Sequence, residues 1–260
     1  MDTQAEERKS YFPFNSNTIK ILGALFMLID HIGMMLLPNL IIFRIIGRIA
    51  MPIYAYMIAE GCKYTKNKWM YLAQLFSLGA LCQIVFYISS HSLNLGILIT
   101  YSFSVCLIFA LQYLKKVLFS DKHPGLKVFG VVTYALLILF MYVLTLSVKI
   151  EYGFFGCMLA VLASIPDFSC VELNENQKKI LKYIDNKYVK IALFATGLVL
   201  LSVFDPFNTL EAGNIQFYSL ISVVFLLLYS EKKGKKKMKY FFYIFYPAHQ
   251  AILELISWII

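Results

Sequence analysis

The strongest constraint on this chain is a succession of nine apolar runs, near residues 18–37, 42–62, 69–89, 93–114, 128–148, 152–165, 188–204, 215–229 and 240–260. A helix needs roughly 17 to 25 residues to cross a bilayer, and only the sixth and eighth runs fall short of that. Of the 260 residues, 60% are hydrophobic and 15% are charged, against roughly 25% charged in an ordinary soluble domain. Too few polar side chains remain to keep a surface wet, so lipid is the solvent for most of the chain. The 22 Phe and 18 Tyr suit helix interfaces and the headgroup level. The sequence therefore predicts an all-α, polytopic transmembrane helical bundle of about nine spans.

Charge sets the orientation. Lysines crowd four connections: Lys63, Lys66 and Lys68; Lys115, Lys116, Lys122 and Lys127; Lys178, Lys179, Lys182, Lys187 and Lys190; and the run from Lys232 to Lys239. With nine crossings all four clusters, with Arg8 and Lys9, fall on one face, which the positive-inside rule makes cytoplasmic. Removing the sixth or eighth run breaks that pattern. The amino terminus is thus expected inside and the carboxyl terminus outside. Residues 1–17 form a cytoplasmic segment without a secretory cleavage site, and residues 18–260 form a single transmembrane domain. The net charge of +9 sits in short connections rather than in a patterned basic domain, so nucleic acid is not an expected partner. The five cysteines have no C-x-x-C spacing and read as reduced packing residues. The connection over residues 166–187 is the longest candidate for an amphipathic surface helix.

Ionisable side chains inside a span cost about 2.5 to 3.5 kcal/mol at a helix centre on insertion scales, so each needs a reason. Asp30 and His31 lie about 13 residues into the first run, hence about 20 Å up a helix, in its outer half. Arg44 and Arg48 open the second run one turn apart at the same depth, so two cations can neutralise Asp30. Adjacent helical residues point about 100° apart, so Asp30 and His31 should serve different partners. A buried Asp–Arg pair that fixes packing would account for these groups alone. Asn94, at the start of the fourth run, and Glu151, at the start of the sixth, share the outer depth, and that convergence favours a polar cavity. From the other face, Glu60 closes the second run. His249 lies about ten residues into the last run, near mid-membrane and just after Pro247. His91 and His123 fall in connections, and no metal-binding spacing such as H-E-x-x-H is present.

Five segments in order, IKILGALFMLIDHIG, FRIIGRIAMPIYAYMIAEG, NLGILIT, EYGFFG and KYFFYIFYPAHQ, resemble the TraX family, whose namesake is the F-pilin N-acetylase. That family is similar in turn to wider groups of transmembrane acyltransferases that use cytosolic acyl-CoA. Carried onto this chain, the resemblance points to Asp30, His31, Arg44, Arg48, Glu60, Asn94, Glu151, Tyr246 and His249. It implies transfer of acetyl from acetyl-CoA, as donor substrate and with no metal, to an amine or a hydroxyl, the amine being favoured. The acceptor would be a peptide, pilin-like or glycan group reached from the outer side of a bacterial inner membrane.

Such a transfer needs a base near neutral pKa, and histidine suits that task. His31 is the first candidate and His249 the second, with Asp30, Arg44 and Arg48 orienting the base and offering charge to an oxyanion or an acceptor carboxylate. The lysine-rich inner connections, Lys232 to Lys239 above all, offer a docking surface for anionic CoA, although positive-inside topology explains them equally well. Two other classes stay open. A transporter would show inverted repeats with paired broken helices, which the sequence lacks. A non-enzymatic assembly or conjugation accessory protein would need no titratable cavity.

Overall fold

A computed structural model describes residues 13–91, 94–204, 214–234 and 238–259, apart from the side chains of Ser89, Ser90 and Lys239. Among them every apolar run is helical, and two isolated β-bridges stand where strands would be. In chain order the helices are α1 (Ser16–Met35), α2 (Ile41–Gly47), α3 (Ala50–Tyr64), α4 (Lys68–Ser90), α5 (Ile97–Leu118) and α6 (Pro124–Ser147). After α7 (Gly153–Ser164), α8 (Glu175–Leu181) and α9 (Lys187–Phe204) come a 3₁₀ helix (Ile215–Ile221), α10 (Ser222–Leu227) and α11 (Lys239–Ile259). Six segments are long and apolar enough to cross a membrane: Ser16–Met35, Ile41–Tyr64, Lys68–Ile88, Ile97–Leu118, Pro124–Ser147 and Lys187–Phe204. Gly153–Ser164 and Ile215–Leu227 are shorter apolar helices.

The second run differs from the expectation of one unbroken helix. It parts after Gly47 and resumes at Ala50. Pro52 has no N–H to give the Arg48 carbonyl four residues back, and it sits instead in the first turn of α3, where a missing donor is tolerated.

The chain divides into two compact units, Met1–Met57 with Asn208–Ile260, and Ile58–Phe207. In the first, α1 begins at Asn15, whose side chain accepts from the backbone N–H groups of Asn17 and Thr18. It packs against α2 and α11, and α2 packs in turn against the 3₁₀ helix. Close approach of α1 and α2 depends on two glycines, since a Cβ on Gly33 would strike Phe43 and one on Gly47 would fall on the Asp30 carboxylate. A short parallel stitch closes the unit: Phe14 N–H donates to Leu228 O (3.3 Å), Ser230 N–H to Phe14 O (2.8 Å) and Ser16 N–H to Lys232 O (2.9 Å).

In the second unit α7 is the buried element, packed by α5, α6 and α9. Its small residues, among them Gly156, Ala160 and Ala163, let neighbours approach. By contrast α6 exposes Phe129, Leu136, Phe140 and Leu146, which is the surface a helix presents to lipid rather than water. The chain turns into α7 through Tyr152 and Gly153, both left-handed (φ 60° and 54°), and this bend is pinned where Glu151 N–H donates to Leu95 O at 2.9 Å.

Candidate functional site

The functional groups of the first unit rest on three helices. Asp30 faces α2, where Arg44 Nη1 lies 2.8 Å from its Oδ2 and Arg48 Nη2 lies 2.9 Å and 3.0 Å from its two oxygens. Arg44 Nη1 also donates to the Asp30 carbonyl at 3.3 Å. The expected pairing of Asp30 with the arginines is present, and both take part. The three side chains are 12–21% exposed, so this is a largely desolvated cluster carrying one net positive charge. A charge set of that kind persists in apolar surroundings only when its members stay paired.

One residue on, His31 turns away from the arginines, and its Nδ1 meets His249 Nε2 of α11 at 2.7 Å. His249 is 5% exposed. The Phe245 ring stacks on it (4.9 Å, 8°), and the Tyr246 ring stands edge-on at 5.9 Å. Hydrogen-bond chemistry fixes the tautomers. The Phe245 carbonyl, 2.7 Å from His249 Nδ1, has only lone pairs, so that nitrogen donates. In the neutral pair His249 Nε2 is then the acceptor, and His31 Nδ1 donates to it. His31 Nε2 is left with a lone pair and no hydrogen-bond partner among the described residues. The arrangement makes His31 a base whose second nitrogen is held in place, with the Asp30 carboxylate next to it on the same helix and the two arginines of the following segment paired to that carboxylate.

Glu60, Asn94 and Glu151 belong to the second unit. Glu60 does not stand alone at the end of its helix: its Oε1 lies 2.7 Å from Lys190 Nζ, with both side chains 6% exposed. Asn94 and Glu151 come together through the Leu95–Ile150 bridge, and the Glu151 carbonyl accepts from Thr100 Oγ1 at 2.8 Å. The side chain of Lys239 lies outside the described residues. Sequence reasoning missed Lys190 as the partner of Glu60, because it counted among the inner lysines. Lys115 was hidden in the same way: its ammonium is buried and donates to the carbonyls of Ser164, Ile165 and Asp167 at 2.6 to 2.9 Å. Its place directly after the apolar run of residues 93–114 was the signal available. In the connection after α7, burial pushes the Cys170 thiol up, and it donates weakly to Gln112 O, so it is no ready thiolate nucleophile.

No solved structure matches the chain. It is similar to an uncharacterised protein of Rickettsia prowazekii (strain Madrid E), 55% identical over 38 residues, a stretch that is 15% of this chain and 15% of that relative's length. The family model described as TraX protein matches residues 15–257, and the chain belongs to the TraX family.

Proposed function

We propose that this protein is an integral membrane acyltransferase of nine crossings, amino terminus inside, in a bacterial inner membrane. It transfers acetyl from cytosolic acetyl-CoA to an amine, in preference to a hydroxyl, on a peptide, pilin-like or glycan acceptor that enters from the outer side. The observation that carries this reading is the His31 Nε2 lone pair, left open by the hydrogen bond between His31 and His249. Membership of a family named for a pilin acetylase supports the choice of acyl transfer.

In the step proposed, the acceptor N–H or O–H gives its proton to His31 Nε2 as its heteroatom bonds to the thioester carbonyl carbon. The imidazolium so formed keeps its Nδ1–H on neutral His249, which holds the ring through the transfer. The C–S bond then breaks, and the CoA thiolate leaves with a proton returned from His31. Arg44, beside Asp30, offers positive charge to the oxyanion or to an acceptor carboxylate. Incubating purified protein in lipid nanodiscs with acetyl-labelled acetyl-CoA and candidate peptides tests the reading. Labelled acceptor and free CoA in equal amounts are expected. Failure of the wild-type protein either to bind or to consume acetyl-CoA would reject it.

A further inference from the structure

Of the six long apolar helices, α6 is the least buried. It does not close on its neighbour α5: between them lies an open-sided hollow of about 170 Å³, larger than the roughly 150 Å³ cavity that admits a benzene ring, so several methylene groups fit it. Side-chain size makes the hollow. Ala110 of α5 and Gly130 and Thr133 of α6 are small, while Tyr113 and Phe129, each 66% exposed, stand as walls. The Thr133 hydroxyl is spent on Phe129 O at 2.8 Å, which leaves the lining largely apolar.

Fluid lipid wets any apolar helix face, so a hollow alone names no ligand. Two features name this one. From Leu126 to Leu137 the hollow follows α6 for about 17 Å, close to the roughly 15 Å of one leaflet's hydrocarbon. Charge lies at one end only. Lys116 and Lys127 adjoin the lining residues Val117 and Leu126, and Lys122 stands in the connection between the helices. Asp121 is the only acid from residue 110 to residue 137, and no charged residue follows Lys127 on α6. Lys115 is not part of this patch, because carbonyls at the end of α7 hold its ammonium inward. Positive-inside topology alone accounts for lysines here, but not for a hollow one leaflet deep that ends among them.

We infer that the hollow holds one acyl chain of an anionic phospholipid, with Lys116, Lys122 and Lys127 around its phosphate. Lysine stems lie along apolar surface and carry their ammonium groups out to headgroup level. A zwitterionic headgroup would set its own cation against theirs, whereas an anionic glycerophosphate headgroup brings only the anion. The chain adds packing to a helix that the rest of the protein barely covers, so the lipid helps to hold α6 in place. His31, His249, Arg44 and Arg48 all belong to the first unit, so this site stands apart from the acyltransferase reading.

Native mass spectrometry of the full-length protein in uncharged detergent tests this, with dioleoyl phosphatidylglycerol and dioleoyl phosphatidylcholine supplied in equal amounts. The first bound lipid should be phosphatidylglycerol by about 10-fold or more, since a lysine beside an anionic headgroup is worth about 5-fold and three face one acid. Lys116→Gln, Lys122→Gln and Lys127→Gln together should remove most of that preference. Thr133→Trp fills the hollow and should lower retention of both lipids by about 10-fold, and Ala110→Leu does the same from α5 should the first variant fail to fold. Tyr134→Phe removes a buried hydroxyl whose residue lies about 15 Å up α6, deeper than any headgroup, and should change neither. Equal retention of the two lipids by the wild type would overturn the inference, as would undiminished binding in Thr133→Trp. Displacement of the lipid by inorganic phosphate would reduce the site to an ion patch, and a dimer formed as lipid is removed would give the hollow to a second copy. Either result overturns it as well.

Discussion

His31 on α1 and His249 on α11 share a 2.7 Å hydrogen bond although 218 residues separate them in the chain. Two imidazoles so joined do not act independently: the nitrogen that His249 offers to His31 is the one it would need for a proton of its own.

Replacing either histidine therefore gives unequal losses. His31→Ala is expected to lower turnover by about 10²- to 10⁴-fold while acetyl-CoA binding stays near wild type. His249→Ala should be milder, about 10- to 10²-fold, and the double variant no slower than His31→Ala alone. Initial rates with saturating donor measure this. Abolished turnover in His249→Ala beside a tolerated His31→Ala would reverse the assignment.

The tautomers also set the sign of the pH dependence. His31 acts only while Nε2 is unprotonated, so activity is lost as pH falls. We expect an acid limb of slope one in log kcat/KM, absent from whatever residual activity His31→Ala retains. The same limb in the variant would show that another group titrates.

Asp30→Asn leaves Arg44 and Arg48 together in apolar surroundings without an anion. Breaking a buried pair in this way costs roughly 3 to 5 kcal/mol, and the 12–21% exposure of these side chains favours the low end. The thermal midpoint in detergent should fall, and Asp30→Asn with Arg48→Met should recover part of the loss. An unchanged midpoint in the single variant would mean that the cluster does not hold α1 to α2.

Glu60 should behave as a structural residue. Glu60→Gln removes the carboxylate from Lys190, so yield and thermal midpoint should drop, and adding Lys190→Met should restore them in part. Turnover per folded molecule should hold. A selective fall in kcat with normal stability would instead put Glu60 in the chemistry.

Orientation is open to cysteine labelling in a background cleared of the native thiols. Lys232→Cys should resist a membrane-impermeant reagent in intact cells, and Glu151→Cys should react with it. The opposite pattern would invert the topology.

Six of the helical runs were legible because they are long and apolar, as the bilayer demands, whereas the sixth and eighth are short apolar helices whose length alone does not make them spans. The Asp30–Arg48 contact was legible too, since depth and turn spacing alone place both ends. The histidine pair was not: counted along separate helices, the two rings differ by about 5 Å in depth, which makes them alternative bases and not partners. Two imidazole side chains span such a gap easily. Lys190 was obscured because positive-inside counting treats every lysine near a span end as solvated, although burial against Glu60 is a different fate. The 3₁₀ geometry of Ile215–Ile221 was out of reach, because over seven residues periods of 3.0 and 3.6 leave the same apolar pattern.

The first unit is built from both ends of the sequence, and this fixes an order of events during synthesis. Asp30, Arg44 and Arg48 leave the ribosome almost together, so the carboxylate can pair with both arginines as soon as α2 follows α1 into the lipid. The ring that completes the histidine pair comes later: at about 5 to 20 residues per second, the 218 residues between them take about 10 to 40 s. Through that interval His31 has no ring from α11 beside it. The histidine pair forms only when α11 is inserted, so an interrupted translation product keeps the ion cluster and lacks the pair.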